Sequence, residues 1–417
     1  MNNVNVFEVK NELIFALFGL FFWNLRQVKT GVKGSLLAGG FIFVTVMSFL
    51  LYRQSIVFNY LQMVMIVWLC QALWMYLVWD VFRIVRRVKT KRRLLQPDAE
   101  RQAGFVLGIS FALTVVFLSY GVQHNHEYVL RFETVKLAPP EAQPLENFSR
   151  SLEEPAQSPK QPQARLQSQF TALYFSDLHL DKLSKSEKLE RMVTEAKSIR
   201  PDFILFGGDL ADIPDSLMTA AGYQDLMRRL AKTAKVGAVA VDGNHEAYME
   251  RDGGDPQGWL RGAGFTVLED STACFDRVPE GQDTPVPLVC FTGRTDFQVA
   301  GTRDIPRKPL ADLAPGVQAS PEKAEAFKSV PWIVLDHQPK GIEKGHEGRL
   351  PDFALSGHTH DGQFFPATLL IDLFWRLSAG IGNLDGVKWL VSTGIDSWGP
   401  PVRVGSDTEM WVLTFEL

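Results

Sequence analysis

The sequence predicts an α/β fold placed behind an N-terminal transmembrane region of about four helices, and three observations carry that reading. Apolar blocks occupy residues 12–25, 34–52, 61–82 and 103–122, and the last three have the roughly 20-residue length that crosses a bilayer. From residue 170 onward, short apolar runs alternate with amphipathic stretches, the pattern of strands and helices in layers. Each of those runs ends in a polar cluster, and in layered α/β proteins ligands gather outside the carboxyl ends of strands.

The chain has 417 residues, and a prior of roughly 150 residues per domain makes it two or three units with room for a large core. Its charge is divided. Residues 1–138 carry 15 Lys and Arg against 7 Asp and Glu, and residues 139–417 carry 28 against 40, so a basic part (+8) precedes an acidic one (−12). Nucleic-acid phosphates require a Lys/Arg excess on the binding face, so no nucleic-acid partner is expected of the acidic part. The three cysteines, Cys70, Cys274 and Cys290, are too few for a thiolate zinc framework or a disulfide-rich scaffold. Any metal must then be held by His, carboxylate and amide groups. Cys274 and Cys290 lie in apolar runs, 272–275 and 286–291, that can pair as a hairpin. They read either as a disulfide in an oxidising compartment or as two small buried thiols.

The first apolar block is short enough either to span the membrane or to lie in its interface. The start lacks a basic n-region and the apolar blocks continue past any cleavage point, so a multi-span anchor is expected instead of a signal peptide. The loop after the third block holds Arg83, Arg86, Arg87, Lys89, Lys91, Arg92, Arg93 and Arg101; the loop after the first holds Arg26, Lys29 and Lys33, and the second only Arg53. By the positive-inside rule the first and third loops are cytoplasmic and the fourth block leads outward. Residues 1–123 are therefore read as the anchor, in the cytoplasmic (inner) membrane, with everything beyond extracytoplasmic. Residues 128–135 look like a strand, so 124–137 is assigned to the catalytic domain. Residues 138–169 hold six Pro and six Gln, bury too little apolar surface to offset their ordering entropy, and read as a linker or insertion. The catalytic domain then fills 170–417.

Within it, runs at 171–175, 202–206, 236–241, 332–335 and 352–355 read as buried strands, and 186–199 and 216–234 as amphipathic helices. The strands end in Ser176-Asp177-Leu178-His179, Gly207-Gly208-Asp209, Asp242-Gly243-Asn244-His245-Glu246, Asp336-His337-Gln338-Pro339 and Ser356-Gly357-His358-Thr359-His360. These clusters contain five of the eight histidines. In an extended segment residues i and i+2 share a face, so His358 and His360 are expected to approach one metal-filled pocket from the same side.

Asp177-x-His179, Gly208-Asp209-x-x-Asp212, Gly243-Asn244-His245-Glu246, His337 and Gly357-His358-x-His360 resemble, in this order, the calcineurin-like metallophosphoesterase superfamily. The resemblance covers roughly residues 165–417, and the N-terminal blocks resemble the branch whose domain follows several membrane helices. It implies a four-layer α/β/β/α sandwich, two β-sheets packed together with helices outside, and a two-metal site. One metal would be held by Asp177, His179, Asp209 and His360, the other by Asp209, Asn244, His337 and His358, with Asp209 shared. A bridging carboxylate keeps two cations about 3.5–4 Å apart, where they activate a water and clamp an in-line displacement at phosphorus. Imidazole ligands favour manganese, iron or zinc over magnesium. His245, not needed as a ligand, would hydrogen-bond the phosphoryl group or protonate the leaving oxygen. Asp212 and Glu246 would orient it or the ligands, or else face water as strand-end carboxylates.

Departures from the family pattern narrow the reading. Asp212 is followed by Ile213 and Pro214, where protein serine/threonine phosphatases of the superfamily continue Arg-Gly, so a protein phosphatase is disfavoured. Asp361 precedes Gly362-Gln363 where the membrane branch often has glycine, and Asp396 stands where a second glycine is common; Arg403 resembles a recurrent arginine that would contact substrate phosphate, or else forms a surface ion pair. Residues 364–377 are unusually apolar for a loop beside a catalytic rim; core packing accounts for this, or else a position against the membrane that admits a lipid-linked phosphoester. The expected protein is a membrane-anchored phosphoesterase hydrolysing diester or related bonds by metal-activated hydroxide. The alternatives are a lipid-pathway pyrophosphatase acting on nucleotide-diphospho-lipids, and a non-catalytic membrane sensor.

Overall fold

The computed structural model describes residues 56–90, 96–137, 169–278, 283, 285–317 and 321–417. The apolar blocks 12–25 and 34–52 and the Pro- and Gln-rich segment up to residue 168 lie outside those residues. Two compact units divide the chain: Met1–Asn125 with Phe364–Leu369 and Gly399–Gly405, and His126–Gln363 with Leu370–Trp398 and Ser406–Leu417.

In the first unit, helix α1 (Ile56–Thr90) contains the third apolar block and α2 (Gln96–His126) the fourth. Among the described residues one stretch, Gly104–His126, is long and apolar enough to cross a membrane. At about 1.5 Å per residue it reaches roughly 35 Å, more than the hydrocarbon thickness of about 30 Å. Phe105, Phe111, Val115 and Val116 on it face outward. On its other side Phe117, Leu118 and Val122 pack with Val67, Val402 and Val404, and Trp68 Nε1 donates to Ser110 Oγ at 3.1 Å.

The second unit is a sandwich of two six-stranded sheets. The first sheet is ordered β1 (Tyr128–Lys136), β12 (Thr408–Glu416), β2 (Gln169–Phe175), β3 (Phe203–Phe206), β4 (Gly237–Ala240), β5 (Thr266–Val267); the second is ordered β10 (Gly380–Leu384), β11 (Val387–Val391), β9 (Phe353–Ser356), β8 (Trp332–Leu335), β7 (Val286–Gly293), β6 (Ser271–Arg277). Strands β2 to β5 run parallel, as do β7, β8, β9 and β11. Parallel strands are covered on both faces, which is why they read as unbroken apolar runs. Phe170, Ala172 and Tyr174 of β2 and Phe203 and Leu205 of β3 meet Ile333, Leu335, Phe353 and Leu355 between the sheets. The intervening Leu173, Phe175, Ile204 and Phe206 turn to the helices. Helix α3 (Ser186–Ile199) answers them with Leu189, Met192, Val193 and Ala196, the spacing of one helical face. Strand β1 pairs in parallel with β12, Tyr128 opposite Thr408, at the edge of the first sheet.

Three expectations are corrected here. The helix expected over 216–234 is two, α4 (Asp215–Ala220) and α5 (Tyr223–Ala231); Gly222 between them has φ +81°, a left-handed turn that breaks the ladder and that other L-residues enter only at a cost. The outer cover of the second sheet is not a helical layer among the described residues. Trp332, Val334, Trp389 and Val391 are instead covered by Leu310 of a 3₁₀ turn and by Ile342, Leu350 and Leu377 from irregular segments. The apolar stretch 364–377 is core only in part: Phe365 packs with Trp74 and Phe117 and Leu377 with the second sheet, whereas Leu369, Leu370, Leu373 and Phe374 are exposed. In the hairpin β6–β7, Cys274 stands opposite Cys290 and the two are joined as a disulfide.

Candidate metal centre

The carboxyl ends of β2, β3 and β4 from one sheet and of β8 and β9 from the other carry the polar clusters into one place. Each strand is left abruptly. Asp177, His179, Asp209, His358 and His360 have φ of 58°, 41°, 60°, 72° and 50°, in the left-handed region that costs a non-glycine residue about 1–3 kcal/mol and persists only when its surroundings over-determine it. Those surroundings are visible. Asp177 N–H donates to Gly208 O at 2.9 Å, His179 N–H to Asp209 O at 3.2 Å and Gly357 N–H to His337 O at 3.0 Å, while His358 N–H donates to Asp177 Oδ1 at 3.0 Å. Helix α6 (Asn244–Arg251) begins on the cluster itself. Gly243 ahead of it has no room for a side chain, since a Cβ there would stand 2.2 Å from Asp209 Oδ1.

Three groups of side chains have ligand atoms close enough to share a metal ion: Asp177, His179 and His360; His179, Asp212 and His245; and Asp209, His337 and His358. The first and third are linked through Asp209, whose Oδ2 lies 3.5 Å from His179 Nε2 and 3.1 Å from His337 Nε2. His358 and His360 therefore enter different groups, because the left-handed turn at each removes the extended geometry that the i, i+2 argument assumed. His360 Nε2 stands 3.5 Å from Asp177 Oδ1 and 3.1 Å from His179 Nε2, and His358 packs its ring 5.2 Å from that of His337.

The chemistry of the donor set fits cations. His337 Nδ1 is directed to Gly207 O at 2.8 Å, so it carries a proton and presents Nε2 to the Asp209 carboxylate. That Nε2 is buried with no hydrogen-bond partner, as is Asn244 Oδ1. Buried acceptors left facing a carboxylate are costly unless a positive charge sits among them. In the absence of a metal, a proton on His337 answers the same negative charge. Burial would raise Asp209, but His337 and His245 hold it well below the ordinary carboxylate range. Burial would lower His337, but Asp209 and Asp177 push it well up. His358 is lowered to about 3 by burial and by His337 beside it, so it is neutral and free to donate a lone pair.

His245 is held differently. Its backbone N–H donates to Asp209 Oδ1 at 2.8 Å, and its Nδ1 is hydrogen-bonded to Asp212 Oδ1. Burial would lower its pKa, but Asp209 and Asp212 outweigh burial and bring it to about 9. The other oxygen of Asp212 lies 3.5 Å from His179 Nδ1, a charge contact and not a hydrogen bond, so this carboxylate orients His245 alone. Glu246 is fully buried and accepts the N–H groups of Asp209 (3.2 Å), Leu210 (2.8 Å) and Gly243 (2.8 Å). Neither carboxylate faces water: Glu246 ties the loop after β3 to the loop after β4, and burial with Asp209 nearby raises it to about 7.

Other sequence-flagged residues are not among the three ligand groups. Arg403 is fully buried and belongs to the unit of α1 and α2, where its N–H donates to Gly121 O at 3.0 Å; it is not a surface residue. Asp361 accepts Ser378 Oγ at 3.2 Å, and Asp396 pairs with Lys188 at 2.9 Å. Sequence reasoning missed Tyr248, whose ring lies 5.1 Å from His245, and Trp398, 6.4 Å from it. It grouped Trp375 with the apolar stretch without foreseeing that its ring lies 5.2 Å from His358. No sequence signal separates such aromatics from core ones.

Residues 170–362 match a family model described as Calcineurin-like phosphoesterase. The chain is 27% identical over 248 residues to an uncharacterized metallophosphoesterase of Helicobacter pylori, covering 59% of this chain and 60% of that protein. It is 30% identical over 244 residues to a transmembrane protein with metallophosphoesterase domain of Danio rerio, covering 56% of this chain and 50% of that protein. It is also 27% identical over 195 residues to Phosphodiesterase YaeI of Escherichia coli, covering 46% of this chain and 62% of that protein. The match thus spans between half and two thirds of the length of each of these relatives.

Proposed function

Because residues 170–362 are a calcineurin-like phosphoesterase domain, we propose that this protein is a membrane-anchored, two-metal phosphoesterase acting on phosphodiester or pyrophosphate linkages outside the cytoplasm. The observation that carries the reading is the single Asp209 oxygen within 3.5 Å of His179 and 3.1 Å of His337, a carboxylate placed to be shared by two ions. Asp177, His179, Asp209 and His360 would hold one, and Asp209, Asn244, His337 and His358 the other. Manganese, iron or zinc suits this donor set better than magnesium. The pair supplies Lewis-acid and water-activating chemistry when bound.

The chain's own residues do the rest. Asp212 fixes His245 through Nδ1, which leaves Nε2 as the ring nitrogen for a phosphoryl or leaving-group oxygen. Asp212, which is no metal ligand in this reading, favours the protonated imidazole through that contact, and the ring can then donate from Nε2. Glu246 and the short contacts at Gly243 hold the loops after β3 and β4 together, so Asp209 and His245 keep one geometry. The complete donor set, with His245 in place, supports catalysis over a sensor role, which needs no proton donor.

The anchor reading extends the described helices to four spans, with the domain on the outer side. The oxidised pair Cys274–Cys290 supports an oxidising compartment, and a relative named as a transmembrane protein supports the membrane. The test is hydrolysis of bis(p-nitrophenyl) phosphate by the full chain supplied with manganese, measured beside a phosphoserine peptide. Diester turnover that a chelator abolishes and manganese restores is expected, with little release from the peptide. Absence of turnover, at any metal loading, of both this diester and a pyrophosphate-linked substrate such as a nucleotide-diphospho-sugar overturns the reading.

A further inference from the structure

Scattered exposed apolar side chains are normal on a protein surface. Those beside this centre are neither scattered nor loosely held. Leu370, Leu373, Phe374 and Trp398 are 42%, 78%, 46% and 56% exposed, in a rim whose neighbouring groups are histidines and carboxylates. Two tryptophans connect that rim to the centre: Trp375 stands edge-on to His358 with ring centroids 5.2 Å apart, and Trp398 lies 6.4 Å from His245.

The rim is fastened to the loop that carries His358 and His360. Asp372 Oδ1, inside the short turn Ile371–Leu373, accepts Ser378 Oγ at 2.6 Å, and Ser378 O accepts the hydroxyl of Thr359, the residue between the two histidines. Trp398 is bracketed by Gln363, whose Nε2 donates to Trp398 O and whose Oε1 accepts Trp398 N–H, both at 2.9 Å. Leu370, Leu373 and Trp398, exposed on segments tied in this way to the histidine loop, offer an apolar occupant a surface beside it. In sequence, the two rim segments continue directly into Phe364–Leu369 and Gly399–Gly405, which belong to the unit containing the apolar helix Gly104–His126.

We infer that the phosphoester taken by this site is amphiphilic: its phosphorus lies at the histidine and carboxylate cluster and its hydrocarbon chain lies along Leu370, Leu373, Phe374 and Trp398. The inference rests on the phosphoesterase reading above and names its substrate class. A water-soluble nucleotide or sugar diester would leave these side chains wet, whereas a long alkyl or isoprenoid chain covers them. Trp375 is the wall between the two regions and sets how close the first methylene groups come to the phosphate.

The experiment compares octyl p-nitrophenyl phosphate with methyl p-nitrophenyl phosphate, below the micelle concentration, on the full chain loaded with manganese. A kcat/KM ratio of about tenfold or more in favour of the octyl ester is expected, the size that a few buried methylene groups supply, and the ratio should collapse toward one in Leu373→Ser/Phe374→Ser. Calorimetric binding of octyl against methyl phosphate to the same protein reads the rim without turnover and should show the same chain-length preference. Equal kcat/KM and equal affinity for both chain lengths overturn the inference, as does a double variant that keeps the wild-type ratio; a rim built to dock another protein gives that result. Chain-length-dependent binding without hydrolysis of either ester keeps the inference and instead defeats the phosphoesterase reading.

Discussion

His245 and Asp209 occupy the same cluster but are held to opposite charge states, as the donor and ligand roles proposed for them require. Burial disfavours both ions, yet the two carboxylates around His245 keep its proton and the histidines around Asp209 keep its charge. The sign follows for stability. A histidine whose pKa in the fold is raised from 6.5 to about 9 adds stability that is present in full below about pH 6.5 and is lost as pH rises through about 9. In metal-free protein, a denaturant midpoint that declines across this interval is expected, with a shallower decline in Asp212→Asn, where Asp209 still raises the imidazole, checked by urea titrations at several pH values. Turnover should drop about 10²- to 10⁴-fold in His245→Gln, measured as kcat on a diester. Glu246 accepts three buried N–H groups, so Glu246→Ala leaves them unpaired at a cost of about 1–3 kcal/mol each in the least relaxed case, and thermal unfolding should shift down accordingly. Its place in the motif was legible in the sequence, but its work was not: the partners lie 36 and 37 positions away or inside a loop.

At the scale of elements, the strand ends make the centre and the strands merely deliver them. The five apolar runs were legible because strands covered on both faces carry no polar alternation, and α3 was legible to its ends because four buried residues mark one face. The break at Gly222 was not, since glycine inside an amphipathic pattern is tolerated often enough to leave the pattern intact. The left-handed turns at His358 and His360 were not legible either, because no local residue preference selects them; hydrogen bonds from distant loops do. Gly243→Ala tests this arrangement. A methyl group 2.2 Å from Asp209 Oδ1 forces the loops after β3 and β4 apart, so metal affinity should fall by at least about tenfold, the scale seen when groups supporting a ligand are disturbed, measured by competition with a metal indicator. Retention of wild-type affinity would show that the loops adjust independently.

Over the whole molecule, an acidic sandwich follows a basic, apolar N-terminal region, and the charge asymmetry was the earliest sign of both. The Cys274–Cys290 pairing was open in the sequence, since two thiols in apolar runs are equally good core residues; the register of β6 on β7 resolves it. On the topology proposed above, a reporter enzyme that needs export should be active when fused after Leu417, and a cytoplasmic reporter active after Lys91; the reverse pattern would invert that topology. Elemental analysis of the full chain purified without chelators is the most direct measurement of the central claim. Two transition-metal equivalents per wild-type chain are expected, two in His245→Gln, and fewer than one in Asp209→Asn. A wild-type protein holding at most one ion, or an Asp209→Asn protein still holding two, contradicts a centre built on one shared carboxylate.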